Sequence, residues 1–281
     1  MSKTLKYQLS EEIYTNSTGV NTIYDVYKFF SDKRDQRVEI CFKNLRWIDA
    51  NLCAILQAVL FRLSKENNLT FTADLKYLQN KFNILFRNGF INDAKEVAKK
   101  ETSILLKTFN AGEANEFTNY IEYDLLSHPG MKSIDSATKE EVCDAMIELF
   151  NNYEDHAKTD YPVFTCGQFF PKQEKIIFSI VDLGVGFLPA IKEKTKTLIK
   201  PITNNLEAIK WSVEERNTTK PPPGGLGLHR LLNCTKKHSG ELQIITGDTF
   251  WSSGLNEMFF PKKEIKNPFK GSTINLIFSS K

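Results

Sequence analysis

The polar and apolar positions divide the chain into two patterned regions separated by a weakly patterned one. Val38-Glu39-Ile40-Cys41-Phe42 alternates and is rich in β-formers, which predicts a strand. Leu52 to Leu63 follows with Leu52, Ile55, Leu56, Val59, Leu60 and Leu63 on one helical face. Asn67-Asn68 ends that helix, and Leu69-Thr70-Phe71-Thr72 predicts a second strand, so this half reads as an α/β unit. Residues from about 92 to 135 are polar, with weak helical and strand patterns and a turn at His128-Pro129-Gly130. In the second half, Thr138-Lys139-Glu140-Glu141 has the form of a capping box, and the helix it opens runs to about Ala157. Val142, Ala145, Met146, Leu149 and Tyr153 form its apolar stripe. Two β-rich runs, Val163–Phe170 and Ile176–Val181, flank a hairpin turn at Pro171-Lys172-Gln173-Glu174. Helices are predicted around Asn205–Glu215 and Leu228–His238, and late strands at Glu241–Thr246 and Thr273–Phe278.

Composition narrows the class. At 281 residues, two domains are the first expectation, at about 100–200 residues each. Hydrophobic residues at 41% and charged residues at 25% exclude a mainly disordered chain, a collagen and a small disulfide scaffold. Lys and Arg number 37 against 34 Asp and Glu, a net charge of +3, so no nucleic acid partner is expected from bulk electrostatics. The five cysteines, Cys41, Cys53, Cys143, Cys166 and Cys234, form no C-x-x-C pair, which argues against zinc and against a disulfide framework. No apolar run approaches the ~20 residues of a membrane span, and the N-terminal residues lack an apolar signal core. The expectation is therefore a cytoplasmic protein without a membrane span.

Three pieces in fixed order carry candidate chemistry. Glu148, Asn152 and Asp155 stand at i, i+4 and i+7 and project from one helical face, offset from the apolar stripe. A carboxylate beside an amide oxygen suits a hard cation and a water to be oriented; a solvated polar face has the same pattern. Asp182-Leu183-Gly184-Val185-Gly186 ends a strand. There a carboxylate can accept from an exocyclic amine and glycines allow close backbone approach, although an ordinary strand-ending turn looks alike. Gly224-Gly225-Leu226-Gly227-Leu228 runs into a helix, whose N-terminal N–H groups suit phosphate. Neither a P-loop nor a Gly-x-Gly-x-x-Gly fingerprint occurs.

Taken together, these pieces resemble the GHKL ATPase superfamily of gyrase-type, chaperone, histidine-kinase and mismatch-repair ATPases. Glu148–Ala157 is similar to its N box, Asp182–Gly186 to its first glycine box, Gly224–Leu228 to its second, and Gly271-Ser272-Thr273 to its closing Gly-Thr element. The resemblance covers roughly residues 110–281. It implies that ATP and Mg²⁺ (magnesium) are the cofactors. Asn152 would then coordinate the metal, Glu148 would orient or deprotonate the attacking water or hydroxyl, and Asp182 would bind the adenine amine. Gly184 and Gly186 would make room for the base, Gly225 and Gly227 would pack on the phosphates, and Ser272 or Thr273 would assist at the adenine. Phe187–Pro223 would form an ATP lid, from which Thr218, Thr219 and Lys220 could meet the γ-phosphate. Asp155-His156-Ala157 is most similar to anti-sigma serine kinases and histidine kinases. None of His128, His156, His229 and His238 sits in a dimerisation helix of the sensor-kinase kind.

Val38–Phe90 resembles a STAS-like domain, the module of anti-sigma antagonists, through the strand, Trp47-Ile48-Asp49-Ala50-Asn51-Leu52, the helix, the strand and Gly89-Phe90. Those regulators place a phosphorylatable Ser or Thr where this chain has Asn51. The implied organisation is an α/β (α+β) protein of two domains. A STAS-like regulatory or docking unit at 1–100 and a connector at 101–135 precede a Bergerat-type α/β sandwich at 136–281. The implied function is an ATP-binding regulatory protein acting as an ATPase or Ser/Thr protein kinase. The alternative is a non-catalytic, nucleotide-gated interaction module. A gyrase-like clamp is disfavoured because no transducer domain follows the site. A regulatory protein partner is expected; a homodimer stays open.

Overall fold

The computed structural model describes residues 4–92, 102–214, 217, 226–254 and 263–279. It is a mixed α/β structure. The first half runs β1 (Leu5–Gln8), β2 (Glu12–Ile13), α1 (Ser17–Phe30), β3 (Arg37–Cys41), β4 (Trp47–Ile48), α2 (Cys53–Asn67), β5 (Thr70–Thr72), α3 (Leu75–Lys81) and α4 (Asn83–Arg87). Strands β1, β3 and β5 form a small parallel sheet in the order β1-β3-β5, and β2 pairs with β4. Parallel neighbours require crossovers, which α1 and α2 supply. Helix α2 ends at Asn68 in the left-handed conformation, a role that asparagine tolerates.

The second half begins with β6 (Ser103–Phe109) and α5 (Ala114–Tyr120), followed by a π-helical turn at Ile121–Leu126. It continues through α6 (Ser136–His156), β7 (Val163–Phe170), β8 (Lys175–Asp182), α7 (Leu188–Thr195), α8 (Asn205–Val213), α9 (Gly227–Lys237), β9 (Glu241–Ser252) and β10 (Lys263–Ser279). Its five strands form an antiparallel sheet in the order β6-β7-β8-β10-β9. The stretch expected as a connector therefore contains the edge strand β6. Phe117, Tyr120, Ile121, Leu125 and Met131 from the same stretch are buried in a core shared with α6. Helix α6 starts two residues before the predicted box. Asp135 is the N-cap, accepting from Thr138 N at 2.9 Å and Thr138 Oγ1 at 2.8 Å.

The large sheet is covered on both faces. One face carries Ile176, Phe178, Ile180, Leu242, Ile244, Ile274 and Leu276 into a core with Phe117, Met146, Phe150 and Leu231 from α5, α6 and α9. The alternate positions Phe164, Cys166, Val181 and Ile245 enter a second core with Val20, Ile23, Ile55 and Val59 from α1 and α2. The same core takes in Val38 and Ile40 of the small sheet. Antiparallel sheets commonly leave one face to water and then alternate apolar with polar residues. Here Ile176-Ile177-Phe178-Ser179-Ile180-Val181 is buried throughout, because each parity meets a core. Among the described residues, no helix is long and apolar enough to cross a membrane.

Four sheet positions facing the first half are polar or thiol-bearing and stand in one cross-strand row. Cys166 pairs with Ser179, Ser179 with Asn275, and Asn275 with Gln243. Ser179 Oγ donates to Asn275 Oδ1 at 2.6 Å, and Asn275 Nδ2 donates to Gln243 Oε1 at 3.0 Å. Asn51 Nδ2 meets the row by donating to Ser179 Oγ at 2.9 Å. Cys166 Sγ lies 3.1 Å from the Ala50 carbonyl oxygen. The contact between the halves is thus apolar with a satisfied polar seam, as buried polar groups require.

Candidate functional site

A cavity of about 150 Å³ opens on the helical side of the large sheet, between α6, the ends of β8 and β10, and the start of α9. Glu148, Asn152, Asp182, Gly186, Gly227 and Ser272 all line it. Two pieces of local structure bring them together. Helix α6 lies along the sheet through its buried stripe, so its half-buried flank faces the strand ends. In the antiparallel register, Asp182 at the end of β8 pairs with Ser272 of β10, which sets a carboxylate beside a hydroxyl.

Asp182 accepts from Gly184 N at 2.8 Å. Burial pushes its pKa up to about 6, against the lowering effects of the Gly184 N–H, the Ser272 hydroxyl and N–H, and the Arg62 charge. Burial raises the nearby Tyr153 phenol, and the Asp182 charge adds to that. Tyr153 donates its hydroxyl proton to the Tyr161 carbonyl at 2.8 Å. Val163, Ile180, Ile274 and Phe187 line the cavity with Asp182, so a carboxylate sits among apolar walls. Such a setting suits a flat ligand with a donor at its edge.

Elsewhere in the cavity lie Glu148, Asn152 and the first residue of α9. A Cβ added at Gly227 would lie 3.2 Å from the Ala145 carbonyl oxygen and 3.3 Å from Glu148 Cβ and Cδ. The N-terminal end of α9 therefore abuts α6 at Glu148. A helix N-terminus beside a carboxylate and an amide can hold an anion together with a cation that bridges to it. Among the described residues, no group of three His, Cys, Asp or Glu could hold a metal by itself.

Several residues lie elsewhere than the resemblance implies. Thr273 is fully buried on the opposite face of β10, in register with Val181 and Ile245, which belong to the core shared with the first half. Gly184 has the Ala157 backbone over its Cα: a Cβ there would come within 2.5 Å of the Ala157 carbonyl oxygen. Its missing side chain thus makes room for the end of α6. Asp155 is exposed and does not line the cavity; His156, at i+4 from Asn152, does. The Nε2 atom of His156 is buried without a hydrogen-bond partner. The 148, 152, 156 spacing was available in the sequence as the signal for it. Trp211 and Ser212 of α8 and Asn217 also reach the cavity, from the segment expected as a lid. Thr218, Thr219, Lys220, Gly224 and Gly225 lie outside the described residues.

No known family model matches the chain, and no curated protein matches it.

Proposed function

We propose that this cavity is a Mg-ATP site of the GHKL type and that the chain is an ATP-binding regulatory protein. The observation that carries the reading is that Glu148, Asn152, Asp182, Gly186, Gly227 and Ser272, drawn from four separate segments, line one cavity. Asp182, when ionised, accepts from the exocyclic amine of adenine, with Ser272 beside it. Val163, Ile180, Ile274 and Phe187 exclude water from the faces of the base. The N-terminal N–H groups of α9 receive phosphate oxygens. Asn152 would hold Mg²⁺, and the bound metal would neutralise charge on the transferring phosphoryl group. Glu148, one turn before Asn152, orients or deprotonates the attacking hydroxyl or water. The acceptor is water for an ATPase and a Ser or Thr hydroxyl for a protein kinase.

The first half fits this reading as a STAS-like unit, with parallel β1-β3-β5 and the Asn51 turn at the start of α2. Its seat on the back of the sheet favours a second reading, in which ATP sets the interaction of the protein with a regulatory partner and is not turned over. A cytoplasmic place of action belongs to both readings.

Titration calorimetry tests the site. The wild type should bind Mg-ATP, and Asp182→Asn should weaken binding by about 1–3 kcal/mol. Asn152→Ala should weaken ATP far more than adenosine, since adenosine carries no phosphate for a metal to bridge. Equal losses for the two ligands would remove the metal role from Asn152, and a folded Asp182→Asn with unchanged affinity would overturn the adenine assignment. Labelled ATP separates the two readings: free phosphate or phosphoprotein marks turnover, and neither product marks the gated module.

A further inference from the structure

Arg62 belongs to α2 in the first half, yet it ends at the strands that carry the cavity. It is 2% exposed. Its Nη2–H donates to the Leu183 carbonyl at 2.6 Å, and its Nη1–H donates to the Lys270 carbonyl. The guanidinium lies 4.7 Å over the Phe269 ring, and Nε stands 3.3 Å from Glu66 Oε1. Leu183 follows Asp182, and Lys270 stands two residues before Ser272. One buried fork therefore holds the two main-chain segments that present Asp182 and Ser272 to the cavity. The segments meet without a side chain between them: Gly271 has φ +134°, and a Cβ there would stand 2.2 Å from the Asp182 carbonyl oxygen. A planar guanidinium can donate to two carbonyls in fixed geometry, which an ammonium cannot reproduce.

We propose that Arg62 is a positioning residue through which the first half of the chain sets the Asp182–Ser272 end of the cavity. In its ligand, this inference rests on the nucleotide reading above. Arg62 touches neither base nor phosphate; it acts by fixing the carbonyls behind Asp182 and by its charge. The groups that share the surroundings of Asp182 are Arg62 from α2, Tyr24 from α1, Tyr153, His156 and Glu148 from α6, and Ser272 from β10. Of these, Arg62 supplies a permanent positive charge.

Two measurements on the full chain test the assignment, each on Arg62→Gln and Arg62→Lys, with folding checked by circular dichroism and thermal melting. The first follows the Asp182 carboxyl by NMR through a pH titration without ligand. The wild-type midpoint should lie near 6, and Arg62→Gln should raise it, whereas Arg62→Lys keeps the charge and should leave it nearly in place. The second compares the affinity for Mg-ATP with that for magnesium triphosphate. Both variants should lose ATP affinity by ~10-fold, the scale of one buried charged hydrogen bond, while triphosphate changes by less than ~2-fold. A merely structural Arg62 would lower both ligands together. A folded variant with wild-type Asp182 titration and wild-type ATP affinity overturns the proposal. Should Arg62→Gln fail to fold, Arg62→Lys decides through the ATP-to-triphosphate ratio. A wild type that binds no ATP overturns the nucleotide reading instead. The Asp182 titration then judges Arg62 alone: an unmoved midpoint in Arg62→Gln rejects it, and, should that variant not fold, so does an Asp182 chemical shift unchanged in Arg62→Lys, whose midpoint stays in place but whose ammonium cannot hold both carbonyls.

Discussion

Asn51 Nδ2 donates to Ser179 Oγ at 2.9 Å, joining the first turn before α2 to the middle strand of the large sheet across 128 positions of sequence. Asn51 and Ser179 are both fully buried, and Thr15 Oγ1 lies 3.0 Å from Asn51 Oδ1. Through Asn275 and Gln243 the chain of contacts returns to the Thr15 carbonyl, which Gln243 Nε2 approaches at 3.4 Å. The position at which the STAS resemblance puts a phosphorylatable residue is thus inside the contact between the two halves.

That closed set of contacts should behave as a unit. Asn51→Ala and Ser179→Ala each strand a buried polar partner and should cost roughly 1–3 kcal/mol of unfolding free energy. The double variant should cost less than the two single losses added together, because one deletion already breaks the shared bond. Urea unfolding of the four proteins of the cycle measures this, and strict additivity would show that the contact contributes nothing of its own.

Asp182 should make stability depend on pH with a sign opposite to that of an ordinary salt-bridged carboxylate. Its folded pKa is raised from 3.8 to about 6, so between those values the folded state holds a proton that the unfolded state has released. Stability then falls as pH rises through this window and levels off above it. A shift of this size costs roughly 1–3 kcal/mol at neutral pH once partial solvent access is allowed for. Asp182→Asn should accordingly be more stable than wild type by about that amount at pH 7 and equal to it near pH 4, as read by thermal melting without nucleotide. If ATP binds as proposed, its affinity should rise as the pH climbs through 6, since accepting from the amine requires the ionised carboxylate.

Glu148→Gln preserves size and hydrogen bonding but removes the basic charge. Under the enzymatic reading, turnover should fall by ~10²–10⁴-fold with little change in ATP affinity, because the residue acts on the nucleophile and not on the ground-state ligand. Single-turnover assays with labelled ATP alongside calorimetry test both halves of that statement. A variant as active as wild type would leave Glu148 as a structural partner of the α9 terminus.

Gly184→Ala should damage folding, because its added methyl would press on the Ala157 carbonyl oxygen at 2.5 Å and on the Ala157 Cβ at 2.6 Å. Overpacking against backbone typically costs about 1–3 kcal/mol, and here neither contact is a flexible side-chain end. Urea denaturation should show that loss in the absence of any nucleotide. An unchanged midpoint would mean that the end of α6 yields easily.

What the sequence determined by itself was local. The stripe from Val142 to Tyr153 specified α6, and the unbroken β-rich runs around Pro171 specified β7 and β8, because side-chain period depends only on neighbours along the chain. The spacing of Glu148 and Asn152, and the glycines after Asp182, were equally readable. Helix α1 was not: Ser17-Thr18-Gly19-Val20-Asn21-Thr22 is poor in helix formers. It is held by the Asn16 cap and by Val20, Ile23 and Val26 packed into a core shared with Phe164, Val181 and Ile245. Strand β6 was lost in the same way, since its pairing with β7 supplies what Ser103-Ile104-Leu105-Leu106-Lys107 does not advertise. The choice between Ser272 and Thr273 also lay beyond the sequence. Adjacent residues of a strand point to opposite faces, and only the register that sets Ser272 against Asp182 decides which enters the cavity. That register is fixed by burial on both faces of the sheet, a condition met only when the first half of the chain covers one of them.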